Sequence, residues 1–229
     1  MLNKIFYIFI FLFLVISGCV FDDNDTTQKG EYIDSYFPLN IGLTRNYRIT
    51  TFINGVEYVS PMDRIFTGTV NYENKKFYVL VSSDSDKESL YRIENDILYR
   101  YYPENSKISV PYPHEEPMLD FNKQKGESWL VVSNTFVDND HEVVYSLQST
   151  FMGIETMYVP AGQFQDCVRF DNYETWYYND SSEAEENKPE FYMRYSAWYA
   201  QGVGLIKLTA EGNYFGNYLI ELNDYSLSD

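Results

Sequence analysis

The feature that most constrains the fold of this chain is a two-residue periodicity. Val143, Tyr145, Leu147 and Phe151 fall on one side of a run whose other side is Ser146, Gln148 and Thr150, the pattern of a strand with one face buried and one wet. Similar segments recur between clusters of turn residues. Candidate strands cover 44–53, 56–60, 64–72, 77–82, 89–94, 97–102, 129–137, 142–153, 164–178, 191–199, 204–209 and 217–225. Asn54-Gly55 between two such runs is the strongest short hairpin signal, so 44–53 should pair with 56–60. Composition points the same way: the chain has 23 Tyr, 16 Phe and 3 Trp and no long Ala/Leu/Glu/Lys run, and aromatic enrichment favours strands. Trp129-Leu130-Val131-Val132 and Phe191-Tyr192-Met193-Arg194-Tyr195 place large groups on both faces, so part of the sheet needs cover on both sides. Many short antiparallel strands in series predict an all-β fold, a strongly curled sheet or open β-barrel with little helix beyond the N-terminal segment.

That segment has its own character. Lys4 precedes Ile5–Ile16, an apolar run without charge, and Ser17-Gly18-Cys19 leads into the acidic Asp22-Asp23-Asn24-Asp25. A spanning helix needs roughly 20 apolar residues, so the outline is that of a secretory signal peptide. Val15-Ile16-Ser17-Gly18-Cys19 also resembles the lipobox of bacterial lipoproteins. On that resemblance Cys19 receives diacylglycerol and palmitate and becomes the N-terminus of the mature protein. The alternatives are a plain signal peptide or an uncleaved anchor helix. Two or more acyl chains hold a protein stably on a membrane. The expected organisation is a signal peptide at 1–18, a lipid-anchored flexible tether at 19–35 and one β domain at 36–229. The resemblance places the protein in the bacterial cell envelope, with Val20 after the cysteine pointing to the outer membrane, periplasmic or surface-facing.

The formal charge of −17 repels nucleic acid and anionic headgroups, so membrane attachment rests on Cys19 and nucleic acid is excluded as a partner. With Cys19 acylated, Cys167 has no disulfide partner. No His or Lys stands near it in GQFQDCVRF to activate the thiol, so it reads as a packing residue. His114 and His141, the two histidines, do not form a zinc spacing. No nucleophile elbow, Ser-x-x-Lys pair or phosphate loop appears, so neither an enzyme nor a cofactor is expected. The acidic stretches Asp84–Glu88, Asp138–Glu142 and Asp180–Glu186 lack the calcium-loop pattern and read as solvated hairpin tips.

Three segments resemble a group of uncharacterised bacterial envelope lipoproteins. They are Pro38-Leu39-Asn40-Ile41-Gly42, followed by Tyr47 without the group's Trp; Val159-Pro160-Ala161-Gly162-Gln163-Phe164; and Trp198-Tyr199-Ala200-Gln201-Gly202-Val203-Gly204. The resemblance implies an open barrel, similar in shape to periplasmic lipoprotein carriers, and no established activity. Two functions are expected from the residues. An apolar or lipid-like ligand could lie in the concave face, with Trp129, Tyr195 and Trp198 lining or bordering it. Alternatively, exposed aromatics in Tyr173–Tyr178 or Tyr192–Tyr199 could form a platform for a glycan or protein partner.

Overall fold

The computed structural model of the protein describes residues 32–101, 115–138, 141–179, 191–213 and 216–227. The expected signal peptide, Cys19, the expected tether up to residue 31, His114 and the acidic stretch Asp180–Glu186 lie outside the described residues. A short helix, α1 (Tyr32–Tyr36), precedes twelve strands: β1 (Leu43–Ile53), β2 (Val56–Tyr72), β3 (Lys75–Ser82), β4 (Ser85–Glu94), β5 (Ile97–Tyr101), β6 (Glu115–Asp120), β7 (Ser128–Asp138), β8 (His141–Val159), β9 (Gly162–Asn179), β10 (Phe191–Ala200), β11 (Gly204–Gly212) and β12 (Asn217–Leu227). They form one antiparallel sheet in the order β6-β5-β4-β3-β2-β1-β12-β11-β10-β9-β8-β7. The sheet curls until its edges, β6 and β7, nearly meet.

Local chemistry sets the hairpins. Asn54 and Gly55 have φ of 51° and 78°, the left-handed pair that a two-residue hairpin needs to match strand twist. Glu73-Asn74 and Asn95-Asp96 do the same job, all four with positive φ.

Several expectations change. The runs 56–60 and 64–72 form one strand through Pro61. Pro61 pairs with Arg48 of β1, while β3 pairs only from Arg64 onward, so the missing N–H falls where β2 has a neighbour on one side only. The sequence pattern missed β6, whose Glu-Glu-Pro opening has little strand character. It survives as an edge strand that pairs with β5 alone. The expected tether ends early, because its last residues, 32–35, belong to α1, where Ile33 and Tyr36 are buried. In β7 a bulge between Leu130 and Val132 buries both Val131 and Val132 and leaves Leu130 exposed, so a register change explains part of the two-faced apolar run.

The inner face can be read from the register. Phe170 pairs with Ala197 and Phe151, and its ring meets Phe121, Trp129, Phe151 and Tyr199 at centroid distances of 5.4 to 6.1 Å. Ile33 and Tyr36 of α1 pack into the same cluster with Leu98, Leu119 and Val168. The alternation of β8 holds, with Val143, Tyr145 and Leu147 buried.

A second apolar layer forms on the opposite face. Cys167 and Trp198 are buried although their strand neighbours Val168, Ala197 and Tyr199 point inward. The far end of the β8–β9 hairpin covers them, bent by bulges at Phe151/Gly153 and Glu155/Met157, and Met157, Val159, Ala161 and Phe164 pack against them. The Ala161 N–H at its tip donates to the Leu222 carbonyl at 3.0 Å, beyond the end of the β11–β12 pairing. Cys167 is a free thiol. Burial pushes its pKa up to about 11, which disfavours thiolate chemistry.

Candidate functional site

The three residues expected to share a ligand site are placed apart. Trp129 belongs to the inner face and to the seam: its indole N–H donates to the Pro117 carbonyl at 3.0 Å, tying β7 to β6 where no ladder joins them. Tyr195 points inward opposite Asn172 and Ala210, and burial raises its pKa well above the usual phenol value, reinforced by Glu174. Trp198 points outward beneath the β8–β9 hairpin, with its indole N–H on Glu155 and the Arg169 guanidinium 5.1 Å from its ring.

The outer face of β8 to β12 carries an open trough of about 750 Å³. Its walls are cross-strand rows. Gln148, Tyr173, Arg194 and Glu211 form one, and Thr150, Asp171, Ser196, Thr209 and Leu219 the next. Phe52 and Asn217, themselves paired, close one end. Arg194 stacks over Tyr173 at 5.2 Å and over Tyr192 at 5.8 Å, an arrangement that holds a flexible cation flat against aromatic rings. Asp171 accepts two hydrogen bonds from Arg169, at 2.8 and 2.9 Å, and one from the Ser196 hydroxyl at 2.7 Å. The hydrogen bonds that Arg169 donates to Asp171 raise the Arg169 pKa. The trough thus presents amide, carboxylate, hydroxyl and guanidinium groups beside a phenol ring. Trp129 and Trp198 do not line it.

The barrel interior is more polar than an ordinary core. Glu116 is fully buried and pairs with Arg100 at 2.8 Å, and Glu174 accepts a hydrogen bond from the Tyr145 hydroxyl at 2.8 Å. Burial raises the pKa of both carboxyls.

Two of the sequence motifs meet at one residue. Buried Arg45 donates from Nε to the Val203 carbonyl and from Nη2 to the Pro38 carbonyl at 3.2 Å. Val203 lies in the Gly202-Val203-Gly204 turn, and Pro38 opens the Pro-Leu-x-x-Gly segment. A Cβ at Gly204 would stand 3.0 Å from the Arg45 guanidinium, so this glycine makes room for the side chain. Gly202 also reaches α1, its N–H donating to Ser35 at 2.6 Å.

Comparison with known proteins places the fold beside two solved structures. One is a provisionally named lipoprotein from Parabacteroides distasonis, 13% identical, with a TM-score of 0.49 over 84% of this chain and 98% of that one. The other is a provisionally named exported protein from Bacteroides fragilis with a YmcC-like fold, 12% identical, with a TM-score of 0.43 over 84% and 99% of the two chains. No family model matches the sequence. No curated protein matches it either.

Proposed function

We propose that this protein is a lipid-anchored recognition module of the bacterial envelope that binds a glycan in the outer trough of β8 to β12. The observation that carries the reading is the trough itself. A sugar presents hydroxyls that both donate and accept and an apolar C–H face, and it is matched by planar polar side chains set beside an aromatic ring. Gln148, Asp171, Asn217 and Glu211 supply the former, and Tyr173, held under Arg194, supplies the latter. The lipobox-like segment ending at Cys19 supports the membrane address, and the acidic surface supports attachment through acyl chains alone.

A lipid carrier fits the geometry less well. The apolar side chains of the inner face are spent on one another, with α1 around Phe170, around Tyr145 and Leu147, and around Met62, Ile220 and Leu222.

The test is affinity electrophoresis of the full chain through gels holding a panel of neutral and acidic bacterial polysaccharides. At least one should retard the protein, and Tyr173→Ala with Arg194→Ala should remove most of the retardation. Free migration in every gel, or equal retardation of the double variant, overturns the glycan reading; a pull-down dependent on Tyr173 would then assign the trough to a protein partner.

A further inference from the structure

The β1–β2 register sets Arg45 directly opposite Arg64, on the inner face with Tyr47 and Phe66. Like charges facing each other across a strand pair are destabilising, and this chain has twice as many acids as bases, 34 against 17, from which to supply a counter-charge. It does so elsewhere. Arg92 has Glu94 and Glu115, Arg100 has Glu116, Arg169 has Asp171, and Arg48 has Glu221.

At the Arg45–Arg64 pair it does not. Arg45 is committed to two carbonyls and the Phe66 ring, 5.4 Å away. Burial lowers its pKa; Tyr47 opposes this and Arg64 adds to it, and no carboxylate is among the charges acting on it. Arg64 stands over the Tyr47 ring at 5.7 Å. Its Nε is buried without a hydrogen-bond partner among the described residues, and it forms no ion pair there. An arginine N–H so placed is destabilising until an acceptor reaches it. The rest of the guanidinium is within reach, since Arg64 is only partly buried. Its charge acts on the buried phenols of Tyr199 and Tyr218, which marks the wall around it as tyrosine-rich.

We infer that the barrel interior holds a second, separate site, in which the Arg64 guanidinium takes the oxyanion, carboxylate or phosphate, of a small ligand that enters between the tyrosines. The fork of an arginine suits two-point recognition of such a group. This site is independent of the outer trough, and either can fail alone.

The experiment uses the full chain in nonionic detergent, titrated with benzoate or inorganic phosphate at constant ionic strength against chloride. Thermal midpoint and calorimetric heat are read together. One of the two anions should raise the wild-type midpoint saturably; benzoate alone marks a carboxylate ligand and phosphate alone a phosphoryl group. Arg64→Met should raise the midpoint in chloride, because the unmatched charge is gone, and weaken anion binding at least tenfold. Arg64→Lys, which keeps the charge and loses the fork, should bind with intermediate affinity. Arg194→Met, on the outer face, should respond as wild type. The inference is overturned if neither anion gives a saturable response, if Arg64→Met or Arg64→Lys binds as tightly as wild type, or if Arg194→Met abolishes the effect.

Discussion

The barrel is shut along β6 and β7 by a side chain in place of a ladder, and Trp129→Phe tests that closure. The substitution keeps a ring beside Phe170, now 5.9 Å away in an edge-on contact, and removes the indole N–H that donates to Pro117 at 3.0 Å. Losing a partly buried hydrogen bond costs about 1 kcal/mol. The smaller ring gives up roughly 40 Å² of buried apolar surface, about 1 kcal/mol more. The expected loss is therefore about 2 kcal/mol, or roughly thirtyfold in an opening equilibrium. Urea unfolding should show the lowered midpoint with an unchanged slope. Native-state hydrogen exchange should locate the loss, since amides of β5 and β6 should exchange faster at a protein concentration and pH where those of β9 and β10 hardly change. A loss below about 0.5 kcal/mol, or one spread evenly over all strands, would refute the idea that Trp129 acts as the clasp of the seam.

Glu174→Gln keeps the acceptor for Tyr145 and removes a buried carboxyl whose folded pKa is raised, so the wild-type protein is held back most at high pH. The variant should be more stable than wild type at neutral pH, with the difference vanishing as pH falls below about 4; a gain that persists in acid would contradict the assignment. Cys167, buried and with its pKa near 11, should resist iodoacetamide at pH 8 in the folded protein and react promptly in denaturant, and fast labelling without unfolding would show an open thiol. Cys19→Ser should abolish acyl labelling and move the protein from the membrane to the soluble fraction; labelled lipid on the variant would rule Cys19 out as the anchor.

Much of the sheet was legible because alternation and turn chemistry agree in most of it, as in β8 and around Asn54-Gly55. Where they part company, tertiary context decides. Pro61 reads as a break and is tolerated because β2 has one neighbour there. Glu115–Asp120 reads as loop and becomes a strand by pairing with β5. The trough was legible only in part. Periodicity tells which residues share a face of one strand, so Tyr173 and Arg194 could each be placed outward, but their meeting depends on β9 pairing with β10 across the intervening residues. Trp198 reads as a ligand residue in the sequence because nothing local announces that a bent hairpin will cover it. The Arg45–Arg64 pair is different, and its signal was available. A two-residue Asn54-Gly55 turn pairs Ile53 with Val56, and counting outward from it sets Arg45 against Arg64.

The place of β12 has a consequence for how the molecule is made. β1 to β6 run as one meander and β7 to β12 as another, and the two are joined through a ladder that sets Leu43 against Leu227 and Phe52 against Asn217. Each meander can assemble from neighbours in sequence, which is fast, whereas the joining ladder spans nearly the whole described chain and must wait. During synthesis β1 therefore stands with an open edge until β12 has left the ribosome. A chain stopped before residue 217 would keep most of its hairpins and lose the ring. β12 acts as the keystone, and the two meanders stay unlocked until it is in place.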